Sequence, residues 1–413
     1  MRTSMWPIPV LCVLAGVAVS FATVALDTGT IVSVEFIGGP DAALAILGAI
    51  AASMITLTGI VLTIVLVVVQ LAMGQFSPRI VRAILHDRPS QFAIGSFVAA
   101  FAHAMLAMRE IASTEEGAPV PGLSILVAFA LVVISIVVLI LYINHIGQSL
   151  RAAALIETVG KETREALDKL YEDRGPDSLR DDPNVILAPQ SGVVFRIDHD
   201  ELVQVASEAN CVLTMIPMIG DFVPAGAPMF EIQGDPDALD AGQAANAVAL
   251  GPERTLNQDV AYGFRMLVDI AERSLSDAFD PTTAVQAIDR LHDCLRQLAR
   301  RPFPSGEYRD GNGSIRLCVS HITWEGYVML AFDEIRQTGA SSAQVTRRLK
   351  AALDDLLTVA PADRRAPLER QLELLDAAVA DNDWPDAERA EGLVSDTQGI
   401  GSARELRSVV EQI

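Results

Sequence analysis

Four polar side chains recur every seven residues within and just beyond one long apolar segment: Thr56, Thr63, Gln70 and Ser77. Seven residues make almost two turns of an α-helix, so successive members drift by only about 20° and share nearly one face. Hydroxyl and amide groups on a membrane helix either help helices to pack closely or line a polar path between subunits. We call these residues the polar stripe; the spacing leaves both interpretations, and chance, open.

A second set of polar residues lies in the later, more charged part of the chain: Arg254, Asp259, Asp269 and Asp280. An enzyme of unrecognised type would use such groups, whereas the structural alternative is a set of ion pairs and helix caps. Asp280 is followed by Pro281, and an Asp N-cap before a proline at the first helical position is a strong helix start. This pattern predicts a capped helix at Asp280.

Two short clusters have the residue types of a metal site. Asp289, His292 and Asp293 share one helical face, and Asp-His-Asp stands at residues 198–200. Such triplets are common on solvated helices and turns, and we interpret the second as a turn in which Asp200 caps a helix over 201–208. We therefore predict no metal and no cofactor. The sequence also lacks a Walker loop and the GxSxG, HExxH and CxxC motifs, which makes an enzyme the least favoured class.

The elements that must position these residues divide the chain at about residue 147. The protein has a net charge of -21, but residues 1–147 hold only five Arg and seven Asp or Glu. The 26 basic and 45 acidic residues that remain all lie after residue 147. This division predicts a membrane protein with an attached acidic part, whose partner is the lipid bilayer and not a nucleic acid.

The apolar region contains four predicted membrane spans, at residues 8–26, 42–74, 92–108 and 123–143. The second would be roughly 50 Å long against a bilayer core of about 30 Å, so it must tilt or protrude. The first could instead be a cleaved signal peptide. The third contains His103, which is either a functional ionisable group or a neutral histidine bonded to a neighbouring helix.

The charges of the short loops predict the orientation. The loop over 75–91 contains Arg79, Arg82 and Arg88, whereas the loops over 27–41 and 109–121 are mainly acidic. Positively charged loops stay in the cytoplasm, so both chain termini are expected to be cytoplasmic. In a channel these three arginines would surround the cytoplasmic mouth.

The later part of the chain shows four successive patterns: a helical extension and linker over 148–183, a small β module over 184–234, a helical domain over 251–380, and an acidic, loosely ordered tail over 381–413. The fold class is therefore a four-helix membrane domain joined to a cytoplasmic α+β part.

The β module resembles the two halves of a barrel-sandwich hybrid, as found in lipoyl and biotinyl domains. The similar halves are Ser-Gly-Val-Val at 191–194 and Gly-Asp-Phe-Val-Pro-Ala-Gly at 220–226. Those carriers need an acceptor lysine, and no lysine stands between Lys169 and Lys350. We therefore expect a β scaffold without a carrier role.

Several short motifs together resemble a bacterial membrane protein family known as domain of unknown function 2254. They are Ser-Met-Ile-Thr at 53–56, Gln-Phe-Ser-Pro-Arg at 75–79, Asp-Arg at 87–88, Gly-Ser-Phe at 95–97, Gly-Asp-Phe-Val at 220–223, Arg-Thr at 254–255, Gln-Asp at 258–259, Leu-Val-Asp-Ile-Ala at 267–271 and Asp-Pro-Thr-Thr-Ala at 280–284. The chain departs from the family pattern at His103, where a tyrosine is usual, and at Asp277, where a proline is usual. The resemblance implies an integral inner-membrane protein and no particular reaction.

Three functional hypotheses follow. The first is an oligomeric channel or transporter-like protein, a homo-oligomer with a cytoplasmic gating or sensing domain and with the polar stripe along its path. The second is a membrane-anchored sensor or scaffold without a pore, and the third is an enzyme.

Overall fold

The computed structural model describes residues 7–26, 39–75, 88–113, 122–149, 152–171, 182–277 and 279–401. Ser77, Arg79 and Arg82 lie outside these described residues. The chain separates into two compact units, Met1–Glu172 and Asp173–Ile413, which we call the N-terminal and C-terminal units.

The described part of the N-terminal unit is helical: α1 Pro7–Leu26, α2 Pro40–Gln75, α3 Arg88–Ser113, α4 Gly122–Ser149 and α5 Ala152–Leu170. The first four are long and apolar enough to cross a bilayer, which confirms the four predicted apolar helices. Helix α3 has 26 residues and extends well beyond the predicted span of 92–108. The predicted span is shorter because its apolar run stops at polar residues that still belong to the helix.

Helix α3 is the most shielded of the four apolar helices. Half of the residues in its most apolar 18-residue stretch are buried, against 17–22% in the corresponding stretches of the other three helices. It approaches α1 through small residues: a Cβ added at Gly95 would lie 2.9 Å from the Cβ of Cys12, and one added at Gly16 would lie 2.8 Å from the carbonyl oxygen of Ala99. Small residues allow such close contact between membrane helices, so the least apolar helix is also the one most covered by its neighbours.

The predicted helical extension after the fourth span is present as α5. Its apolar residues Ile156, Leu167 and Leu170 are largely exposed within the N-terminal unit. The predicted linker falls mostly on residues 172–181, which lie outside the described residues.

The strands of the C-terminal unit form two sheets. A five-stranded sheet has the order β1-β5-β3-β8-β7, and a three-stranded sheet has the order β4-β2-β6. The strands are β1 Val185–Leu187, β2 Gly192–Ile197, β3 Val212–Met215, β4 Phe222–Val223, β5 Pro228–Gln233, β6 Val248–Gly251, β7 Glu307–Arg309 and β8 Ile315–Val319.

The predicted barrel-sandwich arrangement is not confirmed, because the described strands form no closed barrel. Strand β3 lies between β5 and β8, and its pairing with β8 is parallel. Strands β6, β7 and β8 come from outside the predicted module of residues 184–234, and two of them interrupt the segment of 251–380 that was predicted to be helical.

Two short helices lie beside the sheets, α6 His199–Glu208 and α7 Ala241–Asn246. The N-cap of α6 is Asp198, whose carboxylate accepts the backbone N–H of Glu201 at 3.1 Å. The prediction of Asp200 as the cap is therefore wrong by two residues, because the helix already includes His199.

The larger helices of the C-terminal unit pack around an apolar core that includes Val268, Leu291, Val328, Leu353 and Leu375. They are α8 Val260–Ser276, α9 Pro281–Leu298, α10 Trp324–Gly339, α11 Ala343–Val359 and α12 Ala366–Ala380. All five lie in the segment of 251–380 that was predicted to be helical, and the second begins at the predicted cap, Asp280. The core around the sheets, which includes Leu213 and Phe230, is a separate cluster.

The start of the tail is structured, contrary to its predicted loose order. Helix α13 spans Asp386–Glu391. Beyond it, the buried carboxylate of Asp396 accepts the backbone N–H groups of Gln398, Gly399 and Gly401 at 2.8–3.1 Å. A buried carboxylate that gathers three amides holds a loop in one conformation, which a count of acidic, Gly and Ser residues does not detect. Residues 402–413 lie outside the described residues.

Candidate functional site

The described members of the polar stripe lie on the outside of the N-terminal unit. Thr56, Thr63 and Gln70 are exposed, whereas Thr58 on the opposite face is buried. The hydroxyl of Thr56 donates to the carbonyl of Ala52 at 2.8 Å, and that of Thr63 donates to the carbonyl of Gly59 at 2.9 Å. These three described members therefore take no part in packing α2 within the N-terminal unit. Arg88, the described member of the predicted cytoplasmic mouth, is exposed at the start of α3.

His103 is fully buried and belongs to a polar chain that connects three helices. Its Nε2 lies 3.0 Å from the carbonyl oxygen of Ser124, which can only accept, so this nitrogen carries the proton. The hydroxyl of Ser124 donates to the hydroxyl of Thr23 at 3.1 Å, which in turn donates to the carbonyl of Ser20. This geometry matches the packing alternative, a histidine hydrogen-bonded to a neighbouring helix.

Two of the four predicted polar residues of the C-terminal unit, Asp280 and Asp269, have structural roles as a helix cap and as a partner in an ion pair. The carboxylate of Asp280 accepts the backbone N–H groups of Thr282 and Thr283 at 3.1 and 3.2 Å, which confirms the predicted cap. Asp269 forms an ion pair with Arg265 at 2.6 Å on the exposed side of α8. Neither carboxylate belongs to the cleft that contains Asp259.

The two clusters with metal-like composition are engaged in other contacts. Both ring nitrogens of His292 are bonded, Nε2 to Asp355 at 2.8 Å and Nδ1 to Arg348 at 3.0 Å. Arg348 also donates to Asp289 at 2.5 Å. In the other cluster the ring of His199 stacks on Tyr308, with centroids 4.3 Å apart. Within the described ranges, no group of three potential ligands has the geometry of a metal site.

Arg254 and Asp259, by contrast, meet at a cleft inside the C-terminal unit. The cleft has a volume of about 410 Å³, and its lining is mainly apolar. Its walls come from the loop after β3, the segment that leads into α8, the turn after α9 and the start of α10. Mainly apolar clefts of this size with a few converging polar groups are typical small-molecule sites.

The central polar group of the cleft is the carboxylate of Asp259, which is only 3% exposed. Its Oδ1 caps α8 by accepting the backbone N–H of Tyr262 at 3.0 Å. Its Oδ2 is buried and has no hydrogen-bond donor among the described residues. The nearest cation, Nη1 of Arg254, is 3.6 Å away, longer than a charge-assisted hydrogen bond. A buried carboxylate oxygen without a hydrogen bond lowers the stability of the folded state unless a further partner donates to it.

The loop after β3 is shaped to approach this carboxylate. Gly220 has a φ of +89°, and a Cβ there would lie 2.6 Å from Oδ2 of Asp259. The neighbouring Asp221 accepts the backbone N–H of Met218 at 2.8 Å, which closes the loop. Only glycine satisfies both the positive φ and the close approach.

The segment before α8 is fixed to strand β2 by Gln258. Its side-chain carbonyl accepts the backbone N–H of Ile197 at 2.8 Å, and its amide donates to the carbonyl of the same residue at 3.1 Å. This two-bond contact copies the pairing of a strand and holds Asp259 in register with the sheet.

Aromatic and imidazole rings form the opposite wall. Tyr327 is almost buried, and its ring packs on Phe303 with centroids 6.2 Å apart. Burial, and then the negative charge of Asp259, raise the pKa of Tyr327 above its usual value, so its hydroxyl stays protonated. Burial lowers the pKa of His321, which favours the neutral ring. The Nε2 of His321 is also buried without a hydrogen-bond partner among the described residues.

Sequence reasoning selected Arg254 and Asp259 but missed Phe303, His321 and Tyr327. These three carry no motif and come from segments 40 or more residues further along the chain. Gly220 and Asp221 belong to a motif of the family resemblance and to the second half of the barrel-sandwich resemblance, but neither resemblance identified this loop as part of a site.

These features define an integral membrane protein with four apolar helices and a C-terminal α+β unit that contains a cleft. Residues 2–355 match the family described as "Predicted membrane protein (DUF2254)", and the protein belongs to that family. The match confirms the resemblance inferred from the sequence.

Similar proteins are known in mycobacteria. They include an uncharacterized protein of Mycobacterium bovis and two of Mycobacterium tuberculosis, each 28% identical over 435 residues, an alignment that covers 100% of this chain and 82% of the relative. No solved structure matches this chain.

Proposed function

We propose that this protein is a membrane-anchored sensor whose C-terminal unit binds a small organic ligand in the cleft at Asp259. The observation that carries the proposal is the buried Oδ2 of Asp259, which lacks a hydrogen-bond donor beside a cavity of about 410 Å³. A ligand that donates a hydrogen bond there would satisfy this buried oxygen.

The surroundings of the cleft favour binding over catalysis. The cleft lies between the apolar core around the sheets, which includes Leu213 and Phe230, and the core of the large helices. A ligand held by both cores would change how they pack, which is the property a sensor needs. The prediction that the protein is not an enzyme rests on the missing catalytic motifs.

Retention of a metabolite tests the proposal. The full-length protein in lipid nanodiscs is incubated with the small-molecule fraction of a bacterial extract, washed and denatured, and the released compounds are identified by mass spectrometry. We expect the wild type to retain a compound that Ala261→Trp, which fills the cleft, does not retain. Ala249→Trp is the matched control, because Ala249 lines a separate shallow groove. Equal retention by all three proteins, or none by the wild type, would contradict ligand binding in the cleft.

The outward polar stripe supports a second candidate function, an oligomeric channel. Exposed hydroxyl and amide groups on an apolar helix are better placed against another copy of the chain than against lipid. A single α2 cannot enclose a path, so a channel requires a homo-oligomer with closed symmetry.

Ion flux into liposomes tests this candidate. We expect Thr63→Leu with Gln70→Leu to abolish flux, while Leu62→Val with Leu66→Val, an exposed pair on the same helix, leaves it unchanged. A folded wild type without flux would leave the sensor as the function.

We further propose that the protein resides in the bacterial inner membrane with both termini in the cytoplasm. The support is the positive charge of the loop that ends at Arg88. In a cysteine-free background, a cysteine at Pro89 should resist a membrane-impermeant thiol reagent in intact cells and react after lysis. Labelling of this cysteine in intact cells would show that the protein has the opposite orientation.

A further inference from the structure

We infer that the cleft ligand is a free α-amino acid with a large apolar side chain. The inference rests on the proposed function and adds the chemical class of the ligand. It comes from the charges of the cleft, from the incomplete ion pair of Arg254 and Asp259, and from the apolar walls.

The charges of the cleft favour a ligand that carries both signs. The charged groups of its lining are the cations Arg254 and Arg301 and the anions Asp221 and Asp259. His321, with a lowered pKa, and Tyr327, with a raised pKa, both favour their neutral forms. A purely anionic ligand would face the buried carboxylate of Asp259, and a purely cationic ligand would face two guanidinium groups. A zwitterion, with no net charge and two separate charged ends, fits both.

The pair of Arg254 and Asp259 has unused hydrogen-bonding capacity on both sides. The two groups are 3.6 Å apart, the Arg254 side chain is 40% exposed, and the Asp259 side chain is 3% exposed. The bond from the Tyr262 N–H fixes Asp259, whereas the Arg254 side chain is longer and more exposed. An α-carboxylate would accept from the guanidinium of Arg254, and the adjacent α-ammonium would donate to Oδ2 of Asp259, which has no donor among the described residues. A guanidinium and a carboxylate side by side match the two charged groups on one α-carbon.

The rest of the cleft is suited to an apolar side chain. Its walls include Leu298, Phe303 and Ile322, and the area of the lining is mostly carbon. Burial of a large aliphatic or aromatic group contributes most of the free energy in such sites. Small or charged amino acids would leave this surface unfilled or place a charge against it.

Calorimetry with the full-length protein in nanodiscs tests the inference, with L-phenylalanine and L-leucine as the probes. Phenethylamine lacks the carboxylate, and 3-phenylpropionate lacks the ammonium. We expect at least one of the two amino acids to bind, and the two analogues to bind at least about tenfold more weakly than L-phenylalanine or not at all, because each leaves one charged group unpaired. Equally tight binding of either analogue would overturn the zwitterion assignment, and this comparison needs no variant.

Variants then locate the site. Asp259→Asn keeps a helix-capping side chain but removes the charge, and we expect it to weaken binding of the amino acid at least about tenfold. Asp280→Asn makes the same change at a helix cap outside the cleft and should leave binding unchanged. Arg254→Gln should likewise weaken binding, with the exposed Arg273→Gln as its control.

The outcomes separate this inference from the proposed function. If neither L-phenylalanine nor L-leucine binds a wild type that still retains an extract compound sensitive to Ala261→Trp, the ligand class is wrong and the sensor stands. If nothing is retained, both are wrong. Unchanged binding in Asp259→Asn would overturn the assignment of the ammonium to Asp259.

Discussion

At the scale of single residues, the same side-chain type serves opposite purposes in this protein. Both carboxylate oxygens of Asp280 accept hydrogen bonds from the first turn of its own helix. Asp259 caps a helix with one oxygen, and its other oxygen has no donor among the described residues. Sequence alone identified Asp280 as a cap because the signal is local. It could not separate Asp259 from Asp269, because that difference depends on Gly220 and Tyr327, which lie far away along the chain.

Asp280 gives a prediction about pH. The hydrogen bond from the Thr283 hydroxyl and the backbone N–H groups lower the pKa of Asp280 below its usual value. A lowered carboxyl pKa stabilises the folded state above the ordinary Asp range, and this stabilisation is lost as pH falls through the folded pKa. We expect Asp280→Asn to lower the melting temperature by roughly 1–4 °C at pH 7 and pH 5, with the gap narrowing as the pH falls below about 3.8, the usual pKa of an Asp carboxyl. A gap that stays constant with pH would show that the charge has no role.

His321 gives a prediction about how stability depends on pH near and below neutrality. Because burial lowers its pKa, acidification protonates the unfolded chain before the folded one, and the free energy of unfolding falls as pH drops below about 6.5. His321→Gln should therefore lose less stability than the wild type between pH 7.5 and pH 5.5, measured by thermal unfolding. Parallel curves for the two proteins would argue that His321 is not held neutral.

At the scale of elements, the sequence predicted the long helices well and the sheet pairing poorly. The apolar helices and the five large helices of the C-terminal unit follow from periodicity and caps, which are local. Strands β7 and β8 were missed although Asp310, Gly311, Asn312 and Gly313 between them form a typical hairpin turn sequence. The parallel pairing of β3 with β8 joins residues about 100 positions apart, and no local pattern encodes such a contact.

The close contact of α1 with α3 also gives a prediction. Gly95→Val should destabilise the N-terminal unit by about 1–3 kcal/mol, because the new side chain would overlap Cys12 and Pro9. Gly147→Val on α4 is the matched control, since nothing lies within 4 Å of a Cβ at that position. Thermal unfolding in detergent compares the two variants. Equal stability of Gly95→Val and Gly147→Val would mean that α1 does not pack against α3 in this way.

At the scale of the whole molecule, the chain consists of an apolar helical unit and an acidic unit that contains a cleft. Division of the chain by charge and hydropathy was predictable, because it is a property of composition. The cleft was not predictable, since its walls come from four separate segments that only the folded C-terminal unit brings together. A sensor requires more than a binding site: occupation of the cleft must alter the N-terminal unit.

Hydrogen exchange measured by mass spectrometry on the full-length protein in nanodiscs, with and without the retained ligand, tests this requirement most directly. If the protein is a sensor, we expect slower exchange at the cleft segments around residues 218–221 and 258–261, together with a change in exchange along α5. We also expect Ala261→Trp to remove both effects. Protection of other segments while the cleft segments stay unchanged, or a response confined to the cleft with α5 unchanged, would contradict a sensor.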